Sequence, residues 1–309
     1  MTGRVHVLGT VVLDRVYEVD RLPGHDEKAF ATASREVLGG PASHVASAVA
    51  RFGRPVALAT VLGTDPAGDA LVAELSARGI DTGAILRDPR AKTGTTVVIV
   101  DHTGEKAIVI DPIAEPVLAG LGRGLTFAAG DVLATQLFHP AAVSAAAERA
   151  RQAGAAALLD LERPEIERFG FDAALAAAKD CAVICTNAQV LSAEAGSTAI
   201  AAAADLAARL AEGRLGACVT LGAAGAVISA GGAARHVPAL AVAPRDTTGA
   251  GDTFLAGLAC ALSDGLRLDA AAPLAAAAAG LFLAGSPAGW AAVRAAATTL
   301  VPRPLETAR

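Results

Sequence analysis

Arg245-Asp246-Thr247-Thr248-Gly249-Ala250-Gly251-Asp252-Thr253-Phe254 sets three small residues in a row just ahead of a helical stripe formed by Phe254, Leu255, Leu258 and Leu262. Small residues let the backbone turn tightly with its N–H groups facing outward. The first N–H groups of a helix lack intrahelical partners, and the helix dipole adds positive potential there. A glycine-rich turn in that position is therefore an anion site. Asp252 falls in the first helical turn. It reads in two ways: as an N-terminal cap, or as a base that takes a proton from the group attacking the anion. A hydroxyl attacking a phosphoryl group needs both parts, donors for the transferring charge and a positioned base.

Outward from this turn, short apolar runs alternate with Ala/Leu-rich stretches of helical spacing. Residues 5–8, 56–61, 156–159, 182–185, 219–221 and 226–228 read as buried strands. Residues 43–52, 69–77, 142–153, 173–179 and 198–211 read as helices; Val45, Val49 and Phe52, for example, share one helical face. Alternation of this kind predicts an α/β fold, a doubly wound and mainly parallel sheet flanked by helices. Ligands then bind beyond the carboxyl ends of the strands, where loops meet helix N-termini. Two segments break the alternation. Residues 17–37 hold strand-like pieces without a helix, and 95–110 read as a hairpin with its turn at 101–104. Pairing of the two predicts a small β-sheet lid over the ligand. The chain is thus expected to be a single domain, 1–309, with lid segments at about 15–37 and 95–110 inserted.

Composition narrows the function. With 309 residues, 53% hydrophobic and 18% charged, the chain can bury a sizeable core. A net charge of −5 without a basic stripe argues against nucleic acid, and eight Phe, one Tyr and one Trp leave few stacking platforms. Cys181, Cys185, Cys218 and Cys260 lack zinc spacing and sit in apolar runs, as core residues of a reducing compartment do. No signal peptide is apparent, because His6, Gly9 and Thr10 interrupt the first apolar run. The uncharged stretch 270–293 is broken by Pro273, Gly280, Gly285, Pro287 and Gly289, so it reads as a buried helix followed by a Gly/Pro loop rather than a membrane span. A cytoplasmic location is expected. No Gly-x-x-x-x-Gly-Lys-Ser/Thr loop occurs, and 120–124 (Gly-Leu-Gly-Arg-Gly) reads as a surface turn. Asp160 and His139 sit at predicted strand ends; each reads as a ligand contact or as a structural group, Asp160 as a helix cap or a partner of Arg163.

A second glycine motif lies far upstream: Gly39-Gly40-Pro41-Ala42-Ser43-His44-Val45-Ala46, continuing to Arg51-Phe52-Gly53. Together with 246–254 it resembles the paired motifs of the PfkB, or ribokinase-like, carbohydrate kinases. Leu22-Pro23, Gly63-Thr64-Asp65, Gly104-Glu105-Lys106 and Val219-Thr220-Leu221-Gly222 extend the resemblance, in order, over about residues 5–289. The resemblance implies an ATP-dependent kinase acting on a hydroxyl of a small sugar. It implies that Asp252 is the base and that Gly249, Ala250 and Gly251 form the anion hole. Asp14, Gly39, Gly40 and His44 would bind the sugar, and Asn187, Thr220, Gly222 and Gly225 the nucleotide. Asp246 and Thr248 would hold a monovalent cation such as K+, Mg2+ would accompany ATP, and the lid would pair two copies into a homodimer.

Three departures stand out. His44 replaces the family's usual asparagine, and Pro41 a frequent lysine. Thr186-Asn187-Ala188-Gln189-Val190 ends in valine where the family carries the glutamate of Asn-x-x-Glu, so magnesium must be placed in another way. His44 itself reads equally as a hydroxyl ligand or as a structural histidine. The stretch 9–17 and the Gly-Gly-Pro-Ala motif look most like the sulfofructose kinase branch, for which Lys28 or Arg15 would supply the cation facing an anionic sugar. A nucleoside acceptor would call for aromatic rings, and only Tyr17 and Phe30 lie near the predicted lid. A sugar-binding protein that has lost catalysis is the reading that the missing glutamate motivates.

Overall fold

A computed structural model describes residues 2–113, 115–244 and 247–305. β1 (Val5–Leu8) leads into β2 (Val12–Val19) and β3 (Ala31–Gly39), which form a hairpin, and into helix α1 (Pro41–Arg51). Next come β4 (Val56–Ala59), β5 (Val61–Gly63), α2 (Pro66–Ala77) and β6 (Leu86–Asp88), then a second hairpin of β7 (Thr95–Val100) and β8 (Lys106–Asp111). After the short α3 (Glu115–Leu118) the alternation becomes regular, with β9 (Val132–Gln136), α4 (Pro140–Gln152), β10 (Ala156–Leu161), α5 (Arg163–Phe169), α6 (Phe171–Ala177) and β11 (Val183–Asn187). α7 (Ala188–Ala195), α8 (Ile200–Ala211), β12 (Gly216–Thr220), β13 (Ala226–Ala230) and β14 (Ala233–Val237) follow. The chain closes with α9 (Ala250–Ser263), α10 (Leu268–Leu283), α11 (Trp290–Ala297) and β15 (Arg303–Pro304).

Nine strands form the main sheet in the order β15-β14-β13-β12-β11-β10-β9-β1-β4, parallel from β12 to β4 and antiparallel at the other edge. One core lies on the face covered by α1, α2, α9, α10 and α11, and a second on the face covered by α4, α6, α7 and α8. The doubly wound architecture is thus the one that the alternation predicts. β3-β2-β7-β8 make the separate small sheet. Its strands begin deeper than the expected lid, so Asp14 and Gly39 belong to it at its base. No helix among the described residues is long and apolar enough to cross a membrane. All four cysteines are buried, and burial pushes the Cys181 and Cys260 thiols up to about 12.

Several expectations need correction. β9, the fully buried central strand ahead of His139, is not among the runs read as strands, because only its first two residues, Val132 and Leu133, are strongly apolar. Residues 56–61 are two strands in different sheets, with the chain changing sheet at Thr60. The surface turn expected at 120–124 is a short 3-10 helix, Leu121–Gly124; Gly120, Arg123 and Gly124 are exposed, but Leu121 and Gly122 are buried, and a side chain at 122 would lie 2.0 Å from the Ala142 carbonyl. Helices α1 and α4 start two residues early because Pro41 and Pro140 occupy the first turn, where the missing N–H costs nothing.

The ends of α9 and α11 and the loop after α1 meet at one carboxylate. Asp264, 7% exposed, accepts from Trp290 Nε1 at 3.0 Å, from Arg294 Nη2 at 2.8 Å and from Arg54. Burial alone would raise its pKa, but the hydrogen bonds from Trp290, Arg294 and Arg54 outweigh burial and hold it below the usual carboxylate range. Its contribution to stability is accordingly present above the unfolded carboxylate pKa and lost as pH falls below it. Asp264→Ala should destabilise the fold by about 3–5 kcal/mol, since it leaves Arg54 without its partner. Urea denaturation at neutral pH checks this; a loss below about 1 kcal/mol would show the cluster to be incidental.

Candidate active site

Where β10, β11 and β12 end, a cavity of about 670 Å3 opens toward the first turn of α9, a size that suits a small-molecule ligand. Gly249 to Asp252 form one wall. Gly249 takes the left-handed conformation, φ 81°, at the N-cap, and its carbonyl accepts from the Thr253 amide at 3.0 Å and hydroxyl at 2.8 Å. The Ala250 amide is engaged by the Thr247 carbonyl at 3.2 Å. Among the described residues the amides of Gly251 and Asp252 have no protein partner, and both residues line the cavity. Asp252 caps nothing with its side chain. Its Oδ2 instead lies 3.2 Å from His44 Nδ1.

His44 joins Asp252 to the other motif. It sits on α1, which packs on α9 and on the end of β3. Its pKa is raised by the hydrogen bond to Asp252, against the opposing effect of burial, with the charges of Asp252 and Asp14 adding to the rise. Asp14, on β2, is pushed up by burial, which the Thr96 hydroxyl and His44 partly offset. Both glycines are spatial requirements. A side chain at 39 would sit 2.3 Å from the Asp14 carboxyl group, and at 40, where φ is 88°, 2.5 Å from the Thr10 carbonyl. The structure therefore brings Asp14, Gly39, Gly40, His44 and Asp252 together. Lys28 stands apart: it lies exposed in the loop between β2 and β3, at the hairpin end remote from the Asp14–Val37 pair. Arg15 is paired with Glu36 at 3.0 Å on the lid.

Asn187, Thr220, Gly222 and Gly225 all line the same cavity. Asn187 is also the N-cap of α7, its Oδ1 accepting from the Gln189 amide at 3.0 Å and the Val190 amide at 3.2 Å, which leaves Nδ2 for a ligand. Gly225 is dictated by the fold, because a side chain there would lie 2.1 Å from the Val237 carbonyl; Gly222 is open. The opposite wall is apolar, from residues 239–242 and from Ala276, Ala279, Gly280 and Leu283 on or beside α10. Asp246 lies outside the described residues. Thr248, its companion for a monovalent cation, accepts from Lys106 Nζ at 3.1 Å, so a lid lysine reaches this loop.

Sequence reasoning named Asp160 as a candidate ligand contact but missed its neighbour Glu162 on the cavity floor. Glu162 lines the large cavity, and a niche of about 30 Å3 beneath it is bordered by Asp160, Glu162, Asn187 and Gly251. Arg163 does not neutralise Asp160; it pairs with Glu167 at 2.6 Å. Burial, then Glu165 and Asp252, push the Glu162 carboxyl up to about 7, and burial with Glu162 and Asp252 holds Asp160 well above its ordinary value. The signal was present in 160–165 (Asp-Leu-Glu-Arg-Pro-Glu), three acids after a buried strand. Val190, in contrast, is buried and offers no ligand. His139 precedes α4 with its Nδ1 buried and unpartnered.

Residues 2–288 match the family described as pfkB family carbohydrate kinase. A fructokinase of Salmonella typhimurium is 30% identical over 281 residues, covering 85% of each chain. The bifunctional protein HldE of Caulobacter vibrioides is 30% identical over 295 residues, but those span 91% of this chain and only 60% of that protein. In fold, the nucleoside kinase of Methanocaldococcus jannaschii superposes with a TM-score of 0.80 at 18% identity, covering 96% of this chain and 98% of that one.

A carboxyl whose pKa is raised on folding adds stability below its unfolded pKa and loses it as pH rises through the folded value. For Glu162 that window runs from the ordinary glutamate value of 4.5 to about 7. The ligand-free protein should therefore lose thermal stability over this range, and Glu162→Gln should flatten the loss. Parallel curves of Tm against pH for the two proteins would show that the carboxylates do not strain one another.

Proposed function

The chain belongs to the pfkB family of carbohydrate kinases, and from that premise we propose that it transfers the terminal phosphoryl group of ATP to a primary hydroxyl of a small sugar or sugar derivative. The observation that carries the reading is Asp252: a carboxylate on the cavity wall, beside amides without protein partners among the described residues, and in contact with His44, whose charge Asp14 also favours. Membership makes the chain an ATP-dependent phosphotransferase for a small sugar-like molecule; the residue roles are our assignment. Nucleotide phosphates border Thr220, Gly222 and Asn187, and the base lies against the apolar wall. The amides of Gly251 and Asp252 face the charge that develops on the transferring group, as donors fixed in advance do best. Asp252 takes the hydroxyl proton, and Asp14 accepts hydrogen bonds from the sugar, held close by Gly39 and Gly40.

The donor set fits magnesium. Glu162 and Asp160 are hard oxygen ligands whose pKa values are raised by burial first and by neighbouring carboxylates second, and a cation between them and the phosphates would relieve that second part. Among the described residues no three His, Cys, Asp or Glu side chains form a metal cage. Mg2+ ordinarily needs only one or two carboxylates, the rest of its shell being phosphate and water. We assign Glu162, with Asp160 beneath it, the role left by Val190. The ion neutralises phosphate charge when bound.

For the acceptor, neither Lys28 nor Arg15 supports an anionic sugar of the sulfofructose type, and few aromatic rings are available for a nucleoside. The exposed apolar side chains of β8, Ile108, Val109 and Ile110, are what pairing of two lids would cover.

ATP consumption over neutral ketoses, aldopentoses, sugar acids, sulfonated sugars and nucleosides tests the proposal. One class should give saturable turnover, and Asp252→Asn should reduce that turnover roughly 10²–10⁴-fold with ATP affinity retained. Tight sugar binding without turnover anywhere in the panel would identify a sugar-binding protein instead.

A further inference from the structure

His44 is held where a proton taken by Asp252 must go next. Its Nδ1 lies 3.2 Å from Asp252 Oδ2, and the two side chains differ in access: Asp252 is 18% exposed and His44 40%. The imidazole therefore links a sheltered carboxylate to solvent. The charged groups acting on it are Asp252 on α9, Asp14 on β2 and Arg78 after α2, whose guanidinium donates to Ser47 of α1. Titratable side chains on the other elements packed against α1 are engaged elsewhere: His6 of β1 with Asp131, Arg35 of β3 with Glu18, and Glu36 of β3 with Arg15. β4 and β9 carry no charged residue. Asp252 is thus the one group within hydrogen-bond reach of the ring among the described residues.

Resting on the kinase reading above, we propose that His44 is a positioning residue that relays the acceptor's proton from Asp252 to water. The acceptor O–H bond breaks as its oxygen bonds to phosphorus, and the phosphorus–oxygen bond to ADP breaks. The proton passes to Asp252, and from Oδ2 to Nδ1 of the neutral imidazole. The imidazolium loses a proton to water, and exchange with water restores the tautomer whose Nδ1 is unprotonated. An asparagine at this position donates a hydrogen bond to the carboxylate but accepts no proton, so the chemistry of 44 separates a relay from a mere support.

The consequence is an acid limb set by His44. When the ring is already protonated it is ion-paired with Asp252 and cannot take the proton. Because the Asp252 hydrogen bond raises its pKa above 6.5, activity should begin to fall above the ordinary imidazole range as pH decreases.

Two measurements test the relay on the full chain. Profiles of kcat and kcat/KM against pH, with whichever sugar is accepted, should show this limb in the native protein. In His44→Asn the limb should move to lower pH by at least about one unit. The NMR titration of His44 without substrates should show a raised pKa that falls back toward 6.5 in Asp252→Asn. Turnover with the same acid limb in both proteins overturns the relay alone, as does a His44 titration unmoved by Asp252→Asn. Absence of turnover across the sugar panel overturns the kinase reading and the relay with it, while the NMR shift still reports the contact.

Discussion

Negative charge is crowded into one small volume where the parallel strands stop. Burial raises the pKa values of Asp160, Glu162 and Glu165 there, and neighbouring charge adds to it: Glu162, Asp252 and Glu165 at Asp160, and Glu165 and Asp252 at Glu162. Left alone, such a group would bind protons, and the raised pKa values show that tendency. Positive potential is supplied from fixed directions, by the amide end of α9 and by the imidazole of His44. On the reading proposed above, a polyphosphate in this cavity would meet donors on one side and a carboxylate floor on the other, a combination that would orient it rather than simply attract it.

The scaffold serves that geometry by putting both glycine motifs at helix starts. α1 and α9 pack side by side on one face of the main sheet, so their first turns present His44 and Asp252 to each other across 3.2 Å. Gly39 and Gly40 let the base of the lid sheet approach closely, which carries Asp14 to the same point. Lys106 closes the far side by reaching from β8 to Thr248. The contacts that fix the site thus come from three separate parts of the chain, and a shift in any of them would separate the base from its neighbours.

Much of this was legible from residues alone. Alternating apolar runs specify the sheet, and the 249–252 turn marks the helix start whose residues line the cavity. What escaped did so for physical reasons. β9 is central and buried along its whole length, but its five residues, Val-Leu-Ala-Thr-Gln, form too short an apolar run to stand out in the sequence. Lys28 is read from sequence as a lid cation facing an anionic sugar, whereas the hairpin carries its loop away from the base that holds Asp14. Lys106 lies 142 residues from Thr248, a separation that only the lid topology closes. Glu162 reads as an ordinary helix-start acid until the cavity is seen beside it. His44 was singled out as a sugar ligand, but its contact with Asp252 depends on the crossing of two helices that no local pattern encodes.

The most direct measurement is a crystal structure with the accepted sugar, ADP and aluminium fluoride, which mimics the phosphoryl group in flight. The fluoride should lie about 2.7–3.1 Å from the amides of Gly251 and Asp252, with the sugar hydroxyl in line and within reach of the Asp252 carboxylate. A fluoride bound elsewhere, with those amides turned to water and Asp252 facing away from the sugar, would contradict the assignment of this helix end as the transfer site.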